Sequence, residues 1–267
     1  MSEDWDTLVL LDACRYDTFS DVSTLNGNLQ SVQSKGSWSW EFMEENFEGR
    51  DLHDTVYVTA NPYAEDLSHD IFHTIESVLS EWKDDLGTVL PADVTQAAIE
   101  ASETYPNKRL IVHYMQPHQP WIGPTADAIC ERAEVSGWMH NRVEGDHGRG
   151  EFGLVRDGVI SHDEMEQAYQ ESLEITLDHV QQLLDTVPGR SVVTADHAEL
   201  LGERIIPLTR RRYGHPMNLK CKTLRRVPWL EIPSETRRDV SPDPPVESTM
   251  TLESREDRLT ALGYLDD

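Results

Sequence analysis

Lysine is nearly missing from this chain. Only five of 267 residues are lysine, against 49 aspartates and glutamates and a formal charge of −26. That balance works against nucleic acid or an anionic membrane surface as a partner, because both present phosphate charge. Cysteine is scarce as well. Cys14, Cys130 and Cys221 are odd in number, far apart and without a C-x-x-C pair, which excludes a disulfide framework and a zinc knuckle and predicts reduced thiols. No apolar run approaches the ~20 residues that span a bilayer, so no stable membrane insertion is expected. The first residues, Met1-Ser2-Glu3-Asp4-Trp5-Asp6, are acidic where a secretory signal is basic and then apolar. A soluble, cytoplasmic protein is expected.

The acidic residues are spread along the whole chain, and apolar periodicity persists between them. A folded body with a strongly hydrated acidic surface fits that pattern. Such a surface suits high salt, where self-repulsion is screened, and a halophilic origin is inferred. The length allows one large core, read here as a single α/β domain over 1–267. Residues 124–158 are rich in Gly, Asp, Glu and Arg without clear periodicity and are expected to form an insertion or lid. Residues 233–267 are expected to be a C-terminal extension ending in a short helix.

The chain is organised around Ser191-Val192-Val193-Thr194-Ala195-Asp196-His197-Ala198-Glu199-Leu200-Leu201-Gly202-Glu203. Its β-branched start reads as a buried strand that stops at Asp196-His197. An open α/β sheet binds ligands at the carboxyl ends of its strands. A carboxylate beside an imidazole there is a natural ligand pair for a divalent metal. Residues 7–11 form a second apolar run that stops at Asp12, a candidate for the same metal. Alone, such an Asp reads as a turn or helix cap. Arg15 and Asp17 are placed to orient Asp12 or to pair with each other.

Further strands are predicted at 29–32, 55–60, 109–114 and 227–232, and helices at 40–47, 71–82, 92–102, 161–186 and 252–265. Ser161 with Glu164 fits a capping box on the longest helix. Ser37 and Ser39 compete for the N-terminus of the helix at 40–47, with Gly36 freeing the backbone to turn. A hydroxyl there either caps the helix or, facing unpaired N–H groups, serves as an alkoxide nucleophile. After the strand at 109–114, two prolines fix the backbone around His118 in Pro117-His118-Gln119-Pro120-Trp121. Residues 204–226 gather Arg210, Arg211, Arg212, Lys220, Lys222 and Arg225 around Tyr213-Gly214-His215-Pro216. This cluster is suited to a phosphate or sulfate group, or to salt bridges with the acidic body. His215 is a further candidate ligand or proton donor. His140 and His147 receive no role.

Taken together, these motifs resemble the alkaline phosphatase superfamily, which includes sulfatases, nucleotide phosphodiesterases and phosphoglycerol or phosphoethanolamine transferases. Asp12-Ala13-Cys14-Arg15-Tyr16-Asp17 is similar to its first metal motif, D-G-x-R-x-D. Residues 194–203 resemble S-D-H-G-E-x-L-G-E, and residues 117–121 resemble P-H-x-P-[YFW]. Gly214-His215 and Leu224-Arg225-Arg226-Val227-Pro228-Trp229 resemble the G-H and L-R-x-V-P stretches, in the same order. The C-x-P-S-R motif of formylglycine sulfatases is absent, and so is a clear D-x-x-G-H element. Gly36-Ser37 resembles the Thr or Ser nucleophile region of the phosphoglycerol and phosphoethanolamine transferases.

The resemblance implies an alkaline-phosphatase-like three-layer sandwich with a mostly parallel central sheet and helices on both faces. It implies a metal-dependent hydrolase of phosphate or sulfate esters. Asp12, Asp196, His197 and the Ser37 oxygen would bind one divalent cation (Mn, Zn, Mg or Ca), with a second left open. Ser37 would attack in line, with Ser39 as the alternative nucleophile. His118 and His215 would bind the ester or protonate the leaving group, and Arg15 would bind substrate. The implied partner is a small anionic ester or a glycan or lipid headgroup. One alternative is a phosphoglycerol- or phosphoethanolamine-type transferase; another, of a different class, is a catalytically silent, metal-stabilised binding protein.

Overall fold

The computed structural model describes residues 3–133, 150–206, 208–217, 219–246 and 258. Continuous apolar runs form the middle of the sheet: β1 (Thr7–Leu11), β5 (Arg109–Tyr114) and β6 (Ser191–Ala195) are almost wholly buried. Buried on both faces, such strands do not alternate in sequence. With β2 (Asn28–Gln33), β3 (Leu52–Thr59), β4 (Phe72–Ser77) and β9 (Arg226–Ile232) they make a seven-stranded sheet in the order β2-β9-β6-β1-β5-β3-β4. The pairs among β6, β1, β5, β3 and β4 are all parallel, while β9 runs antiparallel to β6 and β2. The fold is thus the mixed α/β, mostly parallel architecture that the sequence motifs imply.

Register carries the site. Leu11 pairs with both Tyr114 and Ala195, so Asp12 and Asp196 leave adjacent strands at the same level. His113 pairs with Leu10 and Thr59, one layer below. Side chains two residues apart on a strand share a face, and paired residues of parallel neighbours point the same way. Asp12, Asp196, His113 and Asn61 therefore share one face.

Helices α1 (Tyr16–Val22), α2 (Ser39–Asn46), α3 (Pro91–Thr104) and α6 (His162–Thr186) flank the sheet. Ser161 caps α6 in the expected box: its hydroxyl accepts from Glu164 N–H, and the Glu164 carboxylate accepts from Ser161 N–H. Such a cap stabilises by about 1 kcal/mol. The helix expected over 71–82 is instead β4 followed by a 3-10 turn, Leu79–Glu81. The spacing of Ile71, Ile75 and Val78 imitates a helix, but the free edge of β3 satisfies this backbone as a strand. Thr and Ile also fit a pleated surface better.

The stretch expected to form an insertion or lid holds α4 (Pro124–Ala133) and α5 (Gly150–Arg156). Ala126, Ile129 and Phe152 join Trp121, Met165 and Tyr169 in a second apolar cluster. Also unforeseen is the hairpin of β7 (Leu200–Glu203) with β8 (Arg212–Gly214). The short helix α7 (Lys222–Arg225) precedes β9. Past β9 the chain crosses the amino ends of the strands: Ser241 N–H donates to Asn107, Asp243 N–H to His53 and Val246 N–H to His73. His140, His147 and, apart from Arg258, the helix expected over 252–265 lie outside the described residues. Among the described residues, no helix is long and apolar enough to cross a membrane.

Candidate active site

Five strand ends and loops converge where β1 and β6 stop. Asp12, Asp196 and His197 are fully buried there. Ala13 takes a left-handed conformation (φ 59°), unusual for a residue with a Cβ, and this turn aims its N–H at Asp196 Oδ1, 3.1 Å away. The same oxygen accepts from His197 N–H at 2.8 Å. His197 Nε2 lies 3.4 Å from Asp12 Oδ1 and 3.5 Å from Asp196 Oδ2. The Asp12–Asp196–His197 convergence expected from sequence is therefore present.

The two serines divide differently from expectation. Ser37 is turned away from the pair. Its N–H and hydroxyl both donate to Glu41 Oε2, at 2.8 and 2.7 Å. Ser39, the first residue of α2, donates its hydroxyl to Asp12 Oδ2 at 3.2 Å, and its Oγ is 3.3 Å from His197 Nε2. Gly36 makes this approach feasible. A Cβ there would lie 2.4 Å from Phe42 N, so a larger residue would force the loop off α2.

His118 is buried, and its N–H donates to the Asp12 carbonyl at 3.1 Å. Its ring lies 4.9 Å from that of His215, which lies 4.5 Å from His197. Both loop histidines thus reach the site. Arg15, expected to bind substrate, spends its guanidinium on the protein's own groups. It is engaged by Asp17, by Glu203 and by the Glu199 carbonyl at 2.9 Å, so it fixes the Glu199 loop instead. The Arg210–Arg212 group sits on the exposed hairpin, outside this pocket.

Three contributors were not singled out by sequence. Glu199 Oε1 pairs with His215 Nδ1 at 3.0 Å; its position inside the Asp-His-x-Glu motif was the available signal. Asn61, at a strand end, donates from Nδ2 to Asp12 Oδ2 at 2.8 Å while its Oδ1 accepts from Tyr63 N–H. His113, a lone polar residue in an apolar strand, pairs its Nδ1 with Tyr57 Oη at 2.8 Å and places Nε2 3.8 Å from Asp196 Oδ2.

The electrostatics follow from burial and proximity. Burial opposes ionisation of Asp12, yet the surrounding His118, His197 and His113 imidazoles hold its carboxyl below the usual range. Burial would lower His197, but Asp196 and Asp12 override it and favour the imidazolium. Burial and the His197 charge push His215 down to about 3, and burial pushes Glu199 up to about 7. Asp196 Oδ2 and His113 Nε2 are buried without a hydrogen-bond partner among the described residues. Such orphans cost free energy unless something occupies the space between them. Ligand atoms of Asp12, His113 and Asp196 lie within 4.8 Å of one another, as do those of His118, Glu199 and His215. Oxygen and imidazole donors at this spacing fit a divalent cation.

Sheet order and the strand-end site together make a mixed α/β fold with a mostly parallel central sheet. Two solved structures share it at low identity. One is the C-terminal periplasmic domain of EcEptC from Escherichia coli, in complex with Zn, with TM-score 0.55 and 13% identity over 86% of this chain and 72% of that one. The other is the soluble domain of lipooligosaccharide phosphoethanolamine transferase A from Neisseria meningitidis, with TM-score 0.53 and 12% identity over 86% and 76%. No family model and no curated protein matches the sequence.

Proposed function

We propose that this chain is a metal-dependent enzyme that cleaves phosphate or sulfate esters with Ser39 as nucleophile. The observation that carries this reading is the Ser39 hydroxyl, set at a helix N-terminus between Asp12 Oδ2 and His197 Nε2. Asp12, Asp196 and His197 would hold a divalent cation, with His113 beside them. Such an ion would supply positive charge to stabilise an alkoxide and the equatorial oxygens of the ester.

The chain's own groups account for the rest. Ser39 Oγ forms the new bond to phosphorus or sulfur while the ester P–O or S–O bond opposite breaks, and the hydroxyl proton passes to solvent before attack. The N–H groups of the first turn of α2 face the developing anion. His118 and His215 form the opposite wall. Glu199, raised to about 7 and bonded to His215, is the proton reservoir for the departing oxygen. Water then releases the acid, or a second alcohol accepts the group. The transferase outcome is favoured by the Neisseria neighbour, whose name is that of a phosphoethanolamine transferase. A second cation among His118, Glu199 and His215 is compatible with their spacing.

The test compares Ser39→Ala with Ser37→Ala on aryl phosphate mono- and diesters and aryl sulfates, with Mn²⁺, Zn²⁺, Mg²⁺ and Ca²⁺. Ser39→Ala is expected to lose on the order of a thousandfold or more in kcat, and Ser37→Ala to keep most activity. Full turnover by Ser39→Ala would remove it as nucleophile. Failure to bind any of these cations would leave a non-catalytic binding protein.

A further inference from the structure

The segment 204–226 reverses the charge of the rest of the chain. It holds eight basic residues and no acidic one, within a chain of net −26. In so acidic a protein, many cations find carboxylates: Arg15, Lys83, Lys108, Arg109, Arg132, Arg190 and Arg237 each face one. Of the eight in this segment, only Lys220 has a carboxylate within salt-bridge distance among the described residues, that of Glu41. Arg204, Arg210 and Arg212 are exposed without such a partner. Salt bridging to the acidic body therefore does not explain the cluster.

Apolar exposure concentrates in the same place. Five large apolar side chains are exposed among the described residues, and three of them are Ile206 (63%), Leu208 (96%) and Met217 (48%). Ile206 and Leu208 lie in the loop joining β7 to β8, and Met217 lies just past β8. His215, whose ring touches those of His118 and His197, is two residues before Met217. The surface is thus the far end of the hairpin that carries Glu199 and His215 at its base, a cationic lip tipped with hydrocarbon.

We propose that this lip docks on an anionic lipid surface. Unpaired arginines attract the headgroup charge, and the apolar tips reach past the headgroups into the acyl boundary, as interfacial segments do. A soluble polyanion, such as a sulfated glycan, would use the arginines but leave Ile206 and Leu208 facing water. Net charge does not forbid docking. At about 0.15 M salt, charges are screened beyond roughly 8 Å, so a membrane at the lip senses the lip more than the acidic body behind it. Docking would present headgroup esters to the pocket, yet it does not depend on the ester chemistry proposed above.

The experiment is cosedimentation of the whole protein with phosphatidylglycerol–phosphatidylcholine vesicles and with phosphatidylcholine alone. Circular dichroism checks that each variant is folded. Wild type is expected to sediment with the anionic vesicles only. Arg204→Gln/Arg210→Gln/Arg212→Gln is expected to weaken partition by on the order of a hundredfold. Ile206→Ser/Leu208→Ser is expected to weaken it by about tenfold or more. Both variants keep wild-type turnover of a soluble aryl ester. Absence of wild-type binding, equal binding to both vesicle types, or an Ile206→Ser/Leu208→Ser variant that binds like wild type would overturn the proposal. Binding to soluble dextran sulfate as tight as to vesicles, lost only in the arginine variant, would overturn it in favour of a glycan. Loss of esterase activity in Ser39→Ala with vesicle binding intact separates this surface from the catalytic reading.

Discussion

Glu151 offers a quantitative test of the packing behind the site. Its carboxyl is 1% exposed in the first turn of α5, and Oε1 has no hydrogen-bond partner among the described residues. Burial, with the Glu199 charge adding to it, raises the group to about 8 despite backbone N–H donors from Glu151 and Trp121. The ordinary value is 4.5, so between pH 4.5 and 8 the native state keeps a proton that the unfolded chain has released. Its contribution to stability is whole below pH 4.5, is lost as pH rises toward 8 and is flat beyond. Each pH unit crossed removes about 1.4 kcal/mol, up to about 5 kcal/mol in all. Local opening of α5 limits that loss, because a short helix can detach at less cost than global unfolding.

The perturbation is Glu151→Gln, which keeps the shape and removes the titration. Melting temperature is followed from pH 5 to 8.5 in both proteins. Wild type should fall relative to the variant by roughly 3 °C per pH unit, taking about 2–4 °C per kcal/mol for a chain of this size. Glu199, raised to about 7, lowers stability in the same direction in both proteins and so largely cancels in the difference. Parallel curves for the two proteins would refute the claim that this carboxyl is buried as an acid.

Two further outcomes concern the pocket. Saturating Zn²⁺ or Mn²⁺ at about a hundred times its Kd should stabilise the protein by about 2.7 kcal/mol, because it fills the gap beside the orphaned Asp196 Oδ2; a thermal scan that shows the same gain for Asp196→Asn would contradict the ligand assignment. Tyr57→Phe should weaken metal affinity about tenfold, measured by equilibrium dialysis. His113 Nδ1 lies 2.8 Å from Tyr57 Oη, and with Nδ1 donating its hydrogen to that oxygen the Nε2 lone pair is left facing Asp196 for a cation; unchanged affinity and an unchanged His113 ring ¹⁵N spectrum would show that Tyr57 only packs.

What the sequence made legible follows from how local each cause is. β1, β5 and β6 are readable because a strand buried on both faces must be apolar throughout, and α6 because one stripe and one capping box suffice. β4 was misread as helix because its state depends on the edge of β3, which no local window contains. The hairpin of β7 and β8 was missed because its partner strands are short and separated by a basic loop. Asp12, Asp196 and His197 were legible as abrupt polar stops to apolar runs. His113 and Asn61 were not, since a single polar residue inside or after a strand becomes meaningful only once register sets it beside Asp196 or Asp12. Global charge hid a local reversal in the same way: −26 works against phosphate partners for the average surface but not for the basic, acid-free segment 204–226.

In the proposed reaction Ser39 takes the role that the sequence motifs give to Ser37, and a local signal separates the two. The two hydroxyls are two residues apart, flanking Trp38 just before and at the start of α2, so composition and helix position rank them nearly equally. What separates them is Glu41, in the first turn. Its carboxylate takes both the N–H and the hydroxyl of Ser37, and Lys220 holds its other oxygen. A serine that donates to a carboxylate fixed in this way has its hydroxyl turned from the cleft. Ser39 meets Asp12 and His197 instead. Glu41→Gln should therefore loosen Ser37 without making it a nucleophile: Ser39→Ala/Glu41→Gln is expected to stay as inactive as Ser39→Ala, because the distance from Ser37 to Asp12 is set by the backbone and not by Glu41.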